Sequence, residues 1–222
     1  MGKQVAWLVV GLSLGLLFMG MLRLASVYPS ALTPFAGYAT PGYVLITVVF
    51  TILLVRAGLR LNRLGFGVRL DFRQILFAIV AIAALRVFEI ALNPFIEELL
   101  GGARNLERFS EVKGSVISLA ALLLLNWTFA AFGEELAYRI VLMRAISYVL
   151  GDSRTGHIFA LVLQAVMFGL VHAYQGPTGI VGTTISGLIF GAVTIAGRRS
   201  IWPAAIAHGI NNTIGIIELY QG

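Results

Sequence analysis

Cysteine is absent from the 222 residues, and charged side chains make up only 12% of them. The first absence removes disulfides, thiolate nucleophiles and cysteine-ligated metals. The second removes an ordinary soluble domain, in which about 25% of residues are charged. Hydrophobic residues reach 59%, and they fall in continuous runs without the period-two alternation of a membrane barrel. A backbone in hydrocarbon must satisfy its own hydrogen bonds, which leaves helices. The expected fold class is therefore all-α, a polytopic transmembrane helical bundle of about seven spans. Residues 1–222 are read as a single integral membrane domain, because no loop is long enough to hold a separate core and no internal repeat is visible.

The net charge of +6 does not point to nucleic acid. The arginines cluster between apolar runs, which is the orientation bias of membrane loops. The expected spans are 5–22, 42–55, 74–92, 115–150, 157–173, 180–196 and 201–219. The first is longer than the roughly 7–15 residues of a signal-peptide core, so it reads as an uncleaved span. Arg56, Arg60, Arg63, Arg69 and Arg73 face a single acid, Asp71, and mark a cytoplasmic segment. Reading 115–150 as one helix also leaves Arg198 and Arg199 in the cytoplasm, with the acidic loop 93–114 and the carboxyl terminus outside. The small size suggests a bacterial cell membrane as the location.

An ionisable group inside a bilayer costs about 2.5–3.5 kcal/mol on insertion scales, so each needs a partner or a wet cavity. In "GEELAYR", Glu135 and Arg139 lie four apart on one helical face and can pair. Glu134 is turned by about 100°, which leaves it free for chemistry unless both acids merely bracket the arginine. In "FGLVH", His172 follows Phe168 by one turn; a single histidine near a helix end is more often an interfacial hydrogen-bonded residue than a functional one. In "HGINN", His208 and Asn212 share a face of the last span, as donors into a cavity or as interhelical glue, with Asn211 the better placed for glue. Arg86 and Glu89 read as a structural pair at spacing three, and Asp152 and His157 as solvated turn residues.

In order and spacing, Glu134-Glu135-Leu-Ala-Tyr-Arg139, Phe168-Gly-Leu-Val-His172 and His208-Gly-Ile-Asn-Asn212 resemble the CPBP family of intramembrane proteases. That family includes the type II CAAX prenyl endopeptidases and bacterial abortive-infection (Abi) type proteins. The resemblance covers about residues 123–216. It implies an endopeptidase that hydrolyses a peptide bond of a peptide or membrane-protein substrate among membrane lipids.

The chemistry fits that implication. There is no cysteine, and Ser186 in "TTISGLIF" lacks a GxSxG elbow, so water is the remaining candidate nucleophile. Glu134 is assigned as general base and His172 as the group orienting the same water. His208 and Asn212 are assigned to the tetrahedral oxyanion, where one donor is worth about 2.7–4 kcal/mol. Glu135 and Arg139 support the arrangement.

Two histidines and a glutamate are also a catalytic zinc set. If a metal is bound, Glu134, His172 and His208 would hold it; without an HExxH helix a metal-free mechanism is favoured. The main alternative to an enzyme is a non-catalytic membrane immunity or scaffold protein. A proton-coupled transporter ranks lower, since no inverted repeat is visible. Straight α-helical rise leaves one conflict: it sets Glu134 and His172 about 25 Å from the cytoplasmic turns but His208 only about 13 Å.

Overall fold

A computed structural model describes residues 2–59 and 69–222; Arg60 and Arg63 of the arginine-rich stretch lie outside the described residues. The described residues form helices and turns without a strand. The α-helices are α1 (Gly2–Ala25), α2 (Ala39–Arg56), α3 (Phe72–Val87), α4 (Asn93–Leu100), α5 (Val116–Leu125), α6 (Met143–Val149), α7 (Arg154–Leu170), α8 (Gly176–Ala196) and α9 (Trp202–Gln221).

Local chemistry sets their ends. Asp71 and Gln74 form a reciprocal capping box at the start of α3. Ser115 and Ser153 cap α5 and α7 by accepting from the amides of Ser118 and Gly156. Pro177 and Pro203 sit in the first turns of α8 and α9, where a missing N–H leaves no bond unmade.

Two pairs of these helices are continuous. A π-helical turn, Phe88–Leu92, joins α3 to α4, and π-helical winding joins α5 to α6. Among the described residues, five stretches are long and apolar enough to cross a membrane: Lys3–Ala25, Thr33–Arg56, Phe72–Leu100, Val116–Val149 and Ala173–Ala196. The helix expected over 115–150 is thus one rod. The rod expected to stop at residue 92 instead runs on through Asn93 to Leu100, because the wide π turn accommodates Pro94.

That turn also overturns the expected pairing of Arg86 with Glu89. Widening the helix swings Glu89 onto Arg104 at 3.0 Å, while Arg86 reaches Glu218 at 3.9 Å. The other turn residues keep the solvent access expected of them and also gain charged neighbours. Asp152 is exposed but takes both arms of the buried Arg144, the second at 2.8 Å. That hydrogen-bonded guanidinium holds the Asp152 carboxyl below the usual carboxylate range. His157 lies against Arg199.

The larger core is built from α1, α2, the long rod and α7, with Leu12, Leu16, Leu54, Ala137, Val141 and Ala160 wholly buried. A smaller one joins α3, α8 and α9 through Ala81, Leu85, Phe190, Ala204 and Ala207. Small residues bring backbones together where α7 meets α8: a Cβ on Gly187 would lie 3.0 Å from the Ala165 Cα. Close approach of this kind is what drives association among lipid tails, where apolar burial gives no net gain. Trp7, Leu45, Ile79 and Ile117 are exposed on the outside.

Candidate active site

The centre of the bundle is organised by one rod. Between Asn126 and Leu142 it winds mainly as π-helix, which is uncommon in long stretches and concentrates at functional sites. The two adjacent carboxylates leave it in different directions and meet different partners.

Glu134 turns towards α1 and the end of α7. Its Oε1 accepts from Arg23 Nη1 at 3.3 Å, and its Oε2 lies 4.0 Å from His172 Nε2. His172 Nδ1 is 2.7 Å from the carbonyl oxygen of Phe168. A carbonyl only accepts, so Nδ1 carries the proton and a neutral His172 presents a bare Nε2 to Glu134. An ionised carboxylate oxygen and a bare imidazole nitrogen are both acceptors. At this separation they are matched to one molecule that donates to each.

Glu135 turns towards α9. Its Oε1 lies 3.1 Å from Arg139 Nη1 and 2.8 Å from His208 Nδ1, so it is shared between a guanidinium and an imidazole. The Glu135 and Arg139 side chains have no solvent exposure. Arg139 is clasped by aromatic faces, with its guanidinium carbon 4.1 Å from the Phe168 ring centre and 5.3 Å from that of Phe190. Phe190 also stacks on His208 at 4.9 Å, and Phe168 meets His172 edge-on at 4.7 Å. Phe168 therefore touches both halves of the site, a role that its spacing from His172 did not reveal.

The conflict in depth has a physical resolution. Ser200 and Ile201, just before α9, are buried, so α9 begins inside the bundle and brings His208 level with Glu135. Asn212, one turn further along α9, is half-buried.

Sequence reasoning missed two side chains. Arg23 sits at the end of an apolar run, where an arginine reads as an interfacial flank. Asn126 ties the rod to α9, donating to the Gly209 carbonyl at 2.9 Å and to Thr213 Oγ1 at 3.2 Å. The glue expected of Asn211 is thus supplied by Asn126; the buried Asn211 Oδ1 has no partner among the described residues. Gly209 serves close packing rather than local freedom, since a Cβ there would come within 2.5 Å of the Trp127 ring.

Among the described residues, no three His, Asp or Glu side chains converge as a metal cage. Glu134 and His172 face each other, and the Arg23 cation beside Glu134 would oppose a second cation there; His172 and His208 each commit Nδ1 to an oxygen, which is also how a metal-ligating histidine is held. If a metal is bound, Glu134, His172 and His208 are the side chains that would hold it.

Residues 115–214 match the family model described as type II CAAX prenyl endopeptidase Rce1-like, and all three motifs fall inside that segment. No curated protein and no solved structure matches the chain.

Proposed function

Because this chain carries, over residues 115–214, a domain of the Rce1-like type II CAAX prenyl endopeptidase family, we propose that it is an intramembrane endopeptidase in which Glu134 and His172 activate the attacking water. The observation that supports this most is the 4.0 Å between Glu134 Oε2 and His172 Nε2, with Nδ1 tied to the Phe168 carbonyl. A water with legs of about 2.8 Å spans that separation and donates one hydrogen to each acceptor.

Glu134 takes a proton as the water oxygen bonds to the peptide carbonyl carbon. The carbonyl oxygen becomes the oxyanion, which accepts from Asn212 and His208. Glu134 then passes its proton to the amide nitrogen as the C–N bond breaks, leaving a carboxyl and an amine. His208 gives Nδ1–H to Glu135, so it donates from Nε2 only when it carries both protons; Glu135 supplies the counter-charge. The Arg139 guanidinium, locked between Phe168 and Phe190, keeps Glu135 in place. In this reading α7 and α9 cross the membrane with the five longer helices, making seven spans, and the substrate is a peptide or the tail of a membrane protein.

The test is cleavage of an internally quenched peptide by purified protein in detergent, with and without a strong chelator. The proposal expects turnover that is unchanged after chelation and a preparation free of stoichiometric zinc. Loss of activity on chelation, restored by zinc, would replace the proposed mechanism with a metal-dependent one. No cleavage by a folded wild type would favour the non-catalytic membrane protein.

A further inference from the structure

The α1–α2 hairpin lies outside the matched segment 115–214, yet it delivers an arginine to the centre of the site. Arg23 Nη1 sits 3.3 Å from Glu134 Oε1, with side-chain exposures of 8% and 6%. An arginine buried in a membrane bundle is retained against a partner, and several features aim this one at Glu134. Three residues earlier, Gly20 lets α1 press against the backbone beside His172: a Cβ there would lie 2.7 Å from the Val171 Cα. Residues three apart share a helical face, so the contact that seats α1 beside the His172 turn also points Arg23 inward. The guanidinium is bracketed by rings, 5.4 Å from the centre of Tyr43 on α2 and 5.7 Å from that of Phe129 on the rod.

We propose that Arg23 is a positioning residue for Glu134: by taking Oε1 it fixes the carboxylate so that Oε2 is the oxygen presented to the water and to His172. The inference rests on the proposed function. It adds that the matched segment is incomplete without the first two helices. The guanidinium matters for its planar shape as well as its charge, because it lies between the Tyr43 and Phe129 rings, where lysine offers only a point charge. A carboxylate free to rotate loses alignment with the water, and misplacement of about 1 Å can cost about 100-fold in rate.

The experiment compares wild type, Arg23→Lys and Arg23→Ala as full-length protein in detergent, with peptide turnover and thermal midpoint measured together. Arg23→Lys keeps the buried charge and is expected to fold, with kcat lowered about 10-fold or more and KM within about twofold. Arg23→Ala is expected to lose about 100-fold and to recover partly on addition of methylguanidinium but not methylammonium. In a Glu134→Gln background, Arg23→Lys should cause no further loss. Wild-type kcat in Arg23→Lys overturns the positioning role while leaving the endopeptidase intact. A loss in Arg23→Ala that tracks a fallen thermal midpoint and ignores methylguanidinium also overturns it. A folded but inactive wild type overturns both this inference and the function beneath it.

Discussion

Glu134→Gln is expected to insert into the membrane and fold, with peptide cleavage lowered by about 100- to 10,000-fold, the range spanned by general acid–base groups. The substitution changes little else. The glutamine amide oxygen can still accept from Arg23, and the Tyr43 and Phe129 rings still bracket that guanidinium. What is lost is an oxygen able to take a proton from the water and return it to the leaving amine. His172→Ala removes the second acceptor and is expected to fall in the same range. The double variant should be little worse than either single one, because groups that act on one water are non-additive. Steady-state turnover alongside a thermal melt checks this. Wild-type turnover in Glu134→Gln would remove the assigned base.

Glu135→Ala is expected to act mainly through stability. Glu135 Oε1 serves both Arg139 and His208, and the Glu135 and Arg139 side chains are wholly unexposed. Removing one partner of a buried ion pair leaves a bare charge, which typically costs about 3–5 kcal/mol. The thermal midpoint should fall sharply and activity should go with it. Replacing both members by apolar groups avoids the stranded charge, and such replacements are often neutral. Glu135→Leu combined with Arg139→Met should therefore regain most of the lost stability, the methionine lying between the Phe168 and Phe190 rings as a favourable sulfur–aromatic contact. Activity should not return, because His208 has lost the acceptor that orients it. A Glu135→Ala protein that melts like wild type would show that the shared carboxylate is not holding the centre together.

These outcomes separate what was legible in the chain from what was not. The Glu135–Arg139 pair was legible because spacing four on a helix is a local property, and it survives at 3.1 Å even in a rod that winds as π-helix. The different directions of Glu134 and Glu135 were legible for the same reason. Arg86 and Glu89 failed under the same rule, because a π turn begins at Phe88, between them. Nothing in the local pattern announces that turn. Arg23 and Asn126 were illegible for a second reason. Their partners lie 111 residues away for Arg23 and 83 and 87 for Asn126, so only packing reveals them. The depth of His208 depended on a buried approach to α9, which hydropathy alone does not resolve. Charge scarcity and continuous apolar runs did lead to the helical membrane bundle, because lipid leaves the backbone so few alternatives.

The central claim concerns one water, and an experimental structure in a lipid environment, at a resolution that shows ordered solvent, tests it most directly. A single peak is expected between Glu134 Oε2 and His172 Nε2, about 2.7–3.0 Å from each, at hydrogen-bond distance. A peak at about 2.0–2.2 Å from both, as for zinc with nitrogen and carboxylate ligands, would contradict it, as would the two side chains closed into direct contact with no solvent between them.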